Sequence, residues 1–232
     1  PGYYFIKGDI NDEKLLTELI KKVDYVVHLA AIVGEGACKK DPNLTKKTNV
    51  EATKKIINLS SENNIKRIIF FSTCSSYGVQ DTNVMATESS PLNPVSLYAE
   101  SKIFMEEYLS KNYDSNLSYT ILRPSTVHGI SPRMRFDVSV NLLTLQALKN
   151  KKITIMGGSQ TRPNIHINDM IGVYEHILVN DVEQGIYNAG FENISILDLG
   201  KKIQNKIDCE IDIIESNDPR SYRQCKFLAL HH

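Results

Sequence analysis

Three short and almost uninterrupted apolar segments, separated by helix-like stretches, limit this chain to few architectures. The segments are Val23–Ala31, Arg67–Ser72 and Leu117–Arg123. Between them, residues 43–63 and 96–111 place apolar side chains at helical spacing. Buried strands that alternate with helices are typical of a parallel sheet covered by helices on both faces. The pattern therefore predicts an α/β fold built on a doubly wound parallel sheet.

The last third of the chain is more irregular. Its pattern predicts helices at residues 137–150, 169–179 and 195–207, and short strands at residues 152–156 and 185–189. The end of the chain, Cys225–His232, matches no regular element.

The composition excludes several classes of protein. Of the 232 residues, 41% are hydrophobic and 23% charged, which suits one α/β domain with a small lobe or two modest domains. Lys and Arg number 27, as do Asp and Glu, so the basic excess of a nucleic-acid-binding protein is absent. The longest apolar run, at residues 25–34, is interrupted by His28 and falls short of the ~20 residues of a spanning helix. We expect neither a nucleic-acid partner nor a membrane segment.

Two observations favour a cytoplasmic protein without a metal site. The first residues, Pro1–Tyr4, contain no charged region ahead of an apolar stretch, so no signal peptide is predicted. The four cysteines form no CxxC motif and no Cys/His cluster, which argues against zinc and favours reduced thiols.

Small and hydroxylated residues follow each of the three predicted strands. They lie in His28–Ala31, Ser72–Gly78 and Arg123–Thr126. Ligands of open parallel sheets bind outside the carboxyl ends of the strands. The sequence therefore predicts a ligand site at this edge, with room for the ligand and hydroxyl groups to hold it.

Tyr98 and Lys102 are the candidate catalytic pair. They are four residues apart on a predicted helix, which puts both on one face. A nearby ammonium favours the phenolate and lowers the pKa of a tyrosine, which can then exchange protons near neutral pH. Thr73, at the end of the preceding strand, can share a substrate proton with Tyr98.

The spacing alone is weak evidence. Tyr3 and Lys7 have it, and so do Tyr222 and Lys226. Only Tyr98 opens a helix that follows a strand with a hydroxyl-rich end, so the context separates this pair from the others.

Eight short motifs in order make the chain similar to a known family. They are Gly8-Asp9-Ile10, Val27–Ala31, Thr48–Thr53, Phe71–Gly78, Tyr98–Lys102, Arg123–Gly129, Arg162–Asp169 and Tyr187-Asn188. The chain resembles the extended short-chain dehydrogenases/reductases, the branch that acts on nucleotide sugars as epimerases, dehydratases and reductases. The resemblance implies a Rossmann-type sheet with a small substrate-binding lobe, and an NAD cofactor with NADP not excluded.

The resemblance also implies roles for individual residues. The implied catalytic residues are Thr73, Tyr98 and Lys102. The implied cofactor-binding residues are Asp9, Ile10, Leu29, Ala30, Ala31, Asn49, Ser72, Tyr98, Lys102, Arg123 and Pro124. The implied substrate-binding residues are Thr73, Cys74, Ser75, Thr126, Asn141, Leu142, Thr154, Met156, Arg162 and Arg220.

The sequence departs from the family pattern at three positions. Ala52 lies where glycine is usual, and Thr126 and His128 replace Asn and Tyr. Thr126 can still donate a hydrogen bond toward a substrate diphosphate. We interpret His128 as a packing residue rather than an acid or base.

Among the reactions of the family, C4 epimerisation through a 4-keto sugar has the fewest requirements. A 4,6-dehydratase needs a carboxylic acid pair directly after the catalytic Thr, where this chain has Cys74 and Ser75. A thiol at Cys74 can serve a C3/C5 epimerisation, although an inert thiol is the better interpretation. A 4-keto reductase or dehydrogenase stays open. So does a non-catalytic NAD(P)-binding sensor, although such proteins usually lose the Tyr or Lys.

The resemblance further predicts the organisation of the chain and its partners. Residues 1–130 and 161–190 would form a partial NAD-binding domain, and residues 131–160 and 191–232 a substrate-binding lobe. The substrate would be a UDP-, GDP- or dTDP-linked sugar. Relatives pair as homodimers through two helices that match residues 43–63 and 96–111.

A glycine-rich GxxGxxG turn, which cradles the pyrophosphate in this family, occurs nowhere in the sequence. The sequence therefore predicts that the first βαβ unit is missing, that NAD affinity is weak and turnover low, and that the exposed edge of the sheet is prone to association.

Overall fold

The computed structural model describes residues 2–79, 85–112 and 117–215. The helices are α1 (Glu13–Ile20), α2 (Glu35–Lys40), α3 (Pro42–Lys46), α4 (Ala52–Glu62), α5 (Leu97–Asn112), α6 (Ser139–Asn150), α7 (Ile167–Val179) and α8 (Ile196–Gln204). The strands are β1 (Tyr25–His28), β2 (Arg67–Phe71), β3 (Ser118–Pro124), β4 (Thr126–His128), β5 (Lys152–Met156), β6 (Thr161–His166), β7 (Gly185–Ala189), β8 (Glu192–Ser195) and β9 (Glu210–Ile214).

The described residues divide into two units. The first comprises residues 2–76, 94–112, 117–122 and 183–187, and the second residues 77–79, 85–93, 123–182 and 188–215. The domain boundaries expected from the sequence stay a prediction.

A parallel sheet organises the first unit. Its strand order is β1-β2-β3-β7, and β1, β2 and β3 pair in parallel. His28 lies opposite Phe70, and Phe71 lies opposite Leu122. The residues that follow β1 and β2 therefore leave the sheet at the same edge. This confirms the predicted α/β class.

Helices α4 and α5 pack their apolar sides onto this sheet. Ile57 on α4, Met105 and Leu109 on α5, and Ile68 and Phe70 on β2 are all fully buried. Burial of a large apolar side chain stabilises a fold by about 1.5–3 kcal/mol, so this cluster fixes α5 against the strand that ends at the candidate site.

The predicted helix over residues 43–63 is interrupted. Asp41 caps its start through a 2.9 Å hydrogen bond from Leu44 N, and a π-helical turn at Lys47–Glu51 separates α3 from α4. Asn64 ends the helix in a left-handed conformation with φ of 56°, which Asn tolerates better than most residues. The stop predicted at Asn63-Asn64 is confirmed.

The prediction of a fully buried strand at Val23–Ala31 is wrong. The regular strand is only Tyr25–His28, and Tyr25 and Val27 are 42% and 38% exposed. Side chains along β1 alternate between solvent and core, and Val26 packs against the buried cluster of the first unit. His28 points inward and is buried.

The second unit contains two small sheets. One has the order β4-β6-β8, and the other pairs β5 with β9 in parallel. Helices α6 and α8 cover the second sheet around Leu143, Ile153 and Leu199, which are buried. The sequence pattern predicted α6, α7, α8, β5 and β7, but it missed β4, β6, β8 and β9. Of these, β4 has only three residues and β8 only four. The pattern also missed α1 and α2.

Across residues 2–79, 85–112 and 117–215, no helix combines the length and the apolar character that crossing a membrane requires. The final segment at 225–232 lies outside the described residues.

Candidate active site

Lys102 is a buried lysine at the centre of the first unit. Its side chain is 3% exposed, and its Nζ donates a 2.6 Å hydrogen bond to the carbonyl oxygen of Phe71 at the end of β2. The ammonium also lies 4.7 Å from the centre of the Phe70 ring. Burial lowers the pKa of Lys102 from 10.5 to about 8, and the negative charge of Glu106 partly opposes this fall.

Tyr98 lies one helical turn before Lys102 on α5. The Lys102 Nζ is 5.8 Å from the centre of the Tyr98 ring, so the two side chains share one face of the helix as the spacing predicted. The start of α5 is fixed by Ser96, whose hydroxyl accepts a 3.2 Å hydrogen bond from Ala99 N. Tyr98 is half-buried, which leaves part of its ring accessible to a ligand.

Thr73 follows β2 and opens a tight turn of the chain. Its hydroxyl oxygen accepts a 3.1 Å hydrogen bond from Ser75 N, and its carbonyl oxygen accepts one of 3.2 Å from Ser76 N. The turn continues as a single 3-10 turn over Cys74–Tyr77. Cys74 and Ser75 are half-buried, and the buried Ser76 hydroxyl has no hydrogen-bond partner among the described residues. A polar ligand or a water molecule can satisfy that hydroxyl.

Ser72 and Glu106 form a second link between β2 and α5. The buried Ser72 hydroxyl donates a short hydrogen bond to Glu106 Oε1, and the Glu106 side chain is 3% exposed. Ser72 N donates to the carbonyl oxygen of Leu122 at 2.7 Å. The side chain of Ser72, expected at the cofactor, therefore ties the strand end to the catalytic helix.

Asn49 and His28 shape the loop that follows β1. The Asn49 amide accepts from Ile32 N at 2.8 Å and donates to Ile32 O at 2.9 Å. His28 Nε2 lies 2.9 Å from the Thr53 hydroxyl, and burial lowers the pKa of His28 to about 3, with the charge on Lys102 adding to the fall. His28 is therefore neutral, and Asn49 acts as a brace for the loop.

A groove of about 720 Å³ lies beside this loop in the first unit. Its lining consists of Lys7, Gly8, Asp9, Ile10, Ala30, Ala31 and Thr48. Four of these are residues that the sequence predicted at the cofactor, and pockets for small ligands span about 300–1,000 Å³. Leu29, also expected there, is 53% exposed next to the groove residue Ala30.

Asp9 is the acidic group of the groove. Asn11 donates to Asp9 Oδ1 from its main-chain N–H and from its side-chain amide, both at 2.8 Å. These hydrogen bonds, the main-chain one above all, hold the pKa of Asp9 below its usual range. A carboxylate fixed in this way is suited to accept hydrogen bonds from ligand hydroxyl groups.

Arg123 lies in a buried network of the second unit. Its Nη1 donates to the Tyr77 hydroxyl at 2.9 Å and to the carbonyl oxygen of Glu88 at 3.1 Å. The Tyr77 hydroxyl donates in turn to Asn188 Oδ1 at 2.6 Å. The guanidinium therefore braces the protein, while a cofactor contact by Arg123 or the adjacent buried Pro124 stays a prediction.

The predicted substrate residues of the second unit lie on several elements. Thr126 is on β4 and is half-buried. Asn141 on α6 accepts from Gly129 N at 3.3 Å and donates to Arg135 O at 3.0 Å, and Leu142 follows it on the same helix. Asn141 thus anchors the loop between β4 and α6.

Two further strands carry the remaining substrate candidates. Thr154 lies within β5, where its main-chain N–H donates to Gln146 Oε1 at 3.0 Å, and Met156 ends the strand 62% exposed. Arg162 lies on β6 and donates from Nη1 to Thr161 O at 3.1 Å. Arg220 lies outside the described residues.

Comparison with known proteins identifies the family. The model of the NAD-dependent epimerase/dehydratase family matches residues 2–190. The chain belongs to this family.

Two curated relatives illustrate the range of the family. The chain is 31% identical over 221 residues to the dTDP-D-glucose 4,6-dehydratase of Dictyostelium discoideum, covering 88% of this chain and 50% of that protein. It is 26% identical over 250 residues to the UDP-glucose 4-epimerase of Lactobacillus helveticus, covering 95% of this chain and 72% of that protein. The chain thus spans only part of the length of these family members.

A solved structure of the family supports the fold. The UDP-glucuronic acid 4-epimerase of Bacillus cereus in complex with NAD matches with a TM-score of 0.80 and 28% identity, over 96% of this chain and 71% of that one. The Rossmann-type architecture predicted from the sequence motifs is confirmed.

Sequence reasoning missed several residues of the site. Glu106 was not singled out, although its place four residues after Lys102 puts it on the same helix face. Lys7 and Thr48 line the groove, and Cys38 is fully buried, where its charge when ionised would act on Lys102. The sequence carries a signal for Glu106 and Thr48, but none for Cys38, whose proximity arises from the fold.

Proposed function

We propose that this chain carries the active site of an NAD-dependent nucleotide-sugar epimerase that inverts the sugar at C4. The observation that carries the proposal is the pairing of Tyr98 with the buried ammonium of Lys102, whose Nζ lies 5.8 Å from the centre of the Tyr98 ring. An ammonium with a depressed pKa in a water-poor site favours the phenolate of a neighbouring tyrosine. Tyr98 is thereby suited to act as a base near neutral pH.

In the proposed reaction, Tyr98 takes the proton of the sugar 4-hydroxyl while Thr73 holds the same oxygen by a hydrogen bond. Bound in the groove, NAD would supply reversible hydride transfer at the sugar C4. The 4-keto sugar then presents its other face, and Tyr98 gives the proton back to the carbonyl oxygen. The ammonium of Lys102 stabilises the phenolate of Tyr98 at both proton transfers. The sugar undergoes no net oxidation.

The groove supports the choice of a dinucleotide as cofactor. Ala30 and Ala31 present small side chains, and the oriented Asp9 carboxylate can accept hydrogen bonds from an adenosine. Ile10 adds an apolar contact for a flat base. The residues present therefore fit the adenosine part of NAD. The Bacillus cereus relative is a complex with NAD, which agrees with this choice.

The proposed substrate is a nucleotide sugar, with a UDP-linked sugar first. The relatives named above act on UDP-glucose, UDP-glucuronic acid and dTDP-glucose, as their names state. Thr126 and Arg162 supply a hydroxyl and a guanidinium, and a guanidinium suits bidentate binding of a diphosphate.

A 4,6-dehydratase is the second candidate because the Dictyostelium relative is one and is 31% identical. That reaction removes water after C4 oxidation and needs an acid and a base at the sugar. The turn after Thr73 offers Cys74, Ser75 and Ser76, none of which is a carboxylic acid. This composition favours epimerisation. A 4-keto reductase or dehydrogenase shares the same residues but requires net consumption of the cofactor.

Incubation with a panel of UDP-, GDP- and dTDP-sugars in the presence of NAD tests the proposal. Mass spectrometry and proton NMR of the products distinguish the candidates. An unchanged mass with altered couplings at sugar H4 supports an epimerase. Loss of one water identifies a dehydratase, a change of two hydrogens identifies an oxidoreductase, and NAD binding without turnover identifies a sensor.

We also propose a homodimer through α4 and α5. Phe104 is 47% exposed on α5, and Lys54 of α4 lies 4.7 Å from the centre of its ring. Tyr108 donates to Asn58 at 2.9 Å on the same surface. Light scattering at micromolar concentration is expected to show a dimer, and Phe104→Asp is expected to yield a monomer. A monomeric wild-type chain contradicts this part of the proposal.

The cytoplasmic location stays a prediction.

A further inference from the structure

Glu106 is a buried carboxylate that the proposed reaction does not use. It lies on α5, one turn after Lys102, and its side chain is 3% exposed. A carboxylate is rarely buried without a compensating partner because its desolvation is costly. The groups that contact the Glu106 carboxylate therefore indicate its role.

The partners of Glu106 lead back to the catalytic lysine. Its Oε1 accepts the hydrogen bond of the Ser72 hydroxyl. The preceding residue, Phe71, supplies the carbonyl oxygen that accepts from Lys102 Nζ at 2.6 Å. Two consecutive residues at the end of β2 thus hold two residues one turn apart on α5. Thr73 follows directly, so this double link also sets where the Thr73 hydroxyl lies relative to α5.

The groups that face Lys102 come from several elements. Tyr98 and Glu106 are on α5, Cys38 is on α2, His28 is on β1, and β2 contributes the Phe71 carbonyl. Burial raises the pKa of the Cys38 thiol, and burial lowers that of His28 to about 3, so both are neutral near neutral pH. Glu106 is the carboxylate of this set.

We propose that Glu106 is a positioning residue that keeps Lys102 charged and holds it beside Tyr98 through the Ser72 hydroxyl. The catalytic meaning of this arrangement rests on the function proposed above. An opposite charge nearby stabilises an ammonium that burial would otherwise neutralise. Without Glu106, the lysine loses its proton at lower pH and no longer stabilises the phenolate.

The test measures the ionisation of Lys102 directly. Titration of the protein with ¹³Cε-labelled lysine by NMR gives the pKa, with the Lys102 signal identified by its loss in Lys102→Met. Glu106→Gln retains the size of the side chain and an oxygen that can accept from Ser72, but removes the charge. We expect the Lys102 pKa to fall by about one pH unit or more.

Glu107→Gln is the matched control. Glu107 is the next residue on α5, but it is 62% exposed and pairs with Lys111 at 3.2 Å. Glu107→Gln removes one negative charge from the exposed side of the same helix. The Lys102 pKa is therefore expected to stay at its wild-type value in this variant. Equal shifts in Glu106→Gln and Glu107→Gln overturn the proposal, as does no shift in either.

Glu106→Asp keeps the inference testable if Glu106→Gln does not fold. Glu106→Asp preserves the charge but moves it away by one methylene, so the Lys102 pKa is expected to fall, and to fall by more than in Glu107→Asp. A Lys102 pKa equal in Glu106→Asp and Glu107→Asp contradicts the proposal.

The pH dependence of turnover provides the functional readout. Activity that needs a charged Lys102 declines as pH rises through its pKa, so the alkaline limb of kcat is expected to move to lower pH in Glu106→Gln only. An unmoved limb overturns the positioning role. If the wild-type chain turns over no nucleotide sugar, the proposed function fails, whereas the NMR titration still decides what Glu106 does to Lys102.

Discussion

The ammonium of Lys102 donates a 2.6 Å hydrogen bond to the main-chain carbonyl oxygen of Phe71, which ties the helix that carries Tyr98 to the end of β2. Thr73 lies two residues after Phe71. The Lys102–Phe71 hydrogen bond therefore links the elements that carry the hydroxyl groups of Tyr98 and Thr73, which are proposed to share the substrate proton. Substitutions at these residues are expected to affect turnover more than folding.

Tyr98→Phe is expected to remove turnover and leave the fold intact, since only the phenolic oxygen is lost. The loss of a proton-transfer group costs about a hundredfold or more in kcat. Tyr108→Phe is the control, because Tyr108 lies on the same helix and its hydroxyl donates to Asn58. Retention of roughly a tenth of wild-type kcat in Tyr98→Phe would exclude this residue as the essential base.

Lys102→Met is expected to stabilise the fold while it removes activity. The fall of the Lys102 pKa from 10.5 to about 8 corresponds to ~3 kcal/mol of unfavourable burial at neutral pH. In Lys102→Met the Phe71 carbonyl oxygen loses its hydrogen-bond donor, which costs part of the stability gained by removing the buried ammonium. We therefore expect a net gain of about 1–2 kcal/mol in the free energy of unfolding at pH 7.

The sign of the pH dependence checks the same interpretation. A lysine with a depressed folded-state pKa opposes folding below about pH 8, and the penalty disappears as pH rises to 10.5. The free energy of unfolding of the wild type, measured with urea, is therefore expected to gain a contribution as pH rises from about 8 to 10.5. This pH-dependent contribution is expected to be missing in Lys102→Met. Lys111→Met, at an exposed position of α5, should keep it. Identical pH profiles in all three proteins would argue against a buried ammonium.

His28 is expected to reduce stability as the solution becomes acidic. Its pKa falls from 6.5 to about 3 on burial, so the unfolded chain binds a proton that the folded chain does not. The free energy of unfolding keeps this contribution above pH 6.5 and loses it as pH falls toward 3, with about 2 kcal/mol lost between pH 6.5 and 5. His28→Gln should flatten the profile in this interval, and the exposed His176→Gln should not. A profile unchanged by His28→Gln would show that the imidazole does not titrate as described.

Ala30→Phe is expected to weaken the binding of NAD by filling the groove beside Asp9 and Ile10. Ala37→Phe adds the same ring at an exposed position of α2 outside the groove lining and is the control. Calorimetric titration of each variant with NAD measures the affinity. Equal affinity in the two variants would place the cofactor elsewhere.

The sequence motifs predicted more of the first unit than of the second. The continuous apolar strands β2 and β3 carry a strong local signal, and they pair as predicted. Tyr98 and Lys102 share one face of α5, as their spacing predicted. The short strands β4, β6 and β8 depend on pairing with distant residues, such as Thr126 opposite Asn164, so no local pattern reveals them. The same limit applies to the contact of Ser72 with Glu106, which are 34 positions apart.

The motifs were less informative about what the polar side chain at each motif position does. Asn49 and Arg123 were expected at the cofactor, but the structure shows their side chains bonded to Ile32 and Tyr77. A motif records that a residue type is needed at a position. It does not separate a ligand contact from a brace that shapes the site, because both require the same hydrogen-bonding group.

The most direct measurement follows a deuterium label at sugar C4. A 4-deuterated UDP-sugar is incubated with the wild-type chain and a saturating concentration of NAD, and the products are separated and analysed by NMR and mass spectrometry. The account predicts the C4 epimer with deuterium still at C4 and no change in mass, and no conversion by Tyr98→Phe. A dehydrated product, or a label lost to solvent during epimerisation, would contradict it.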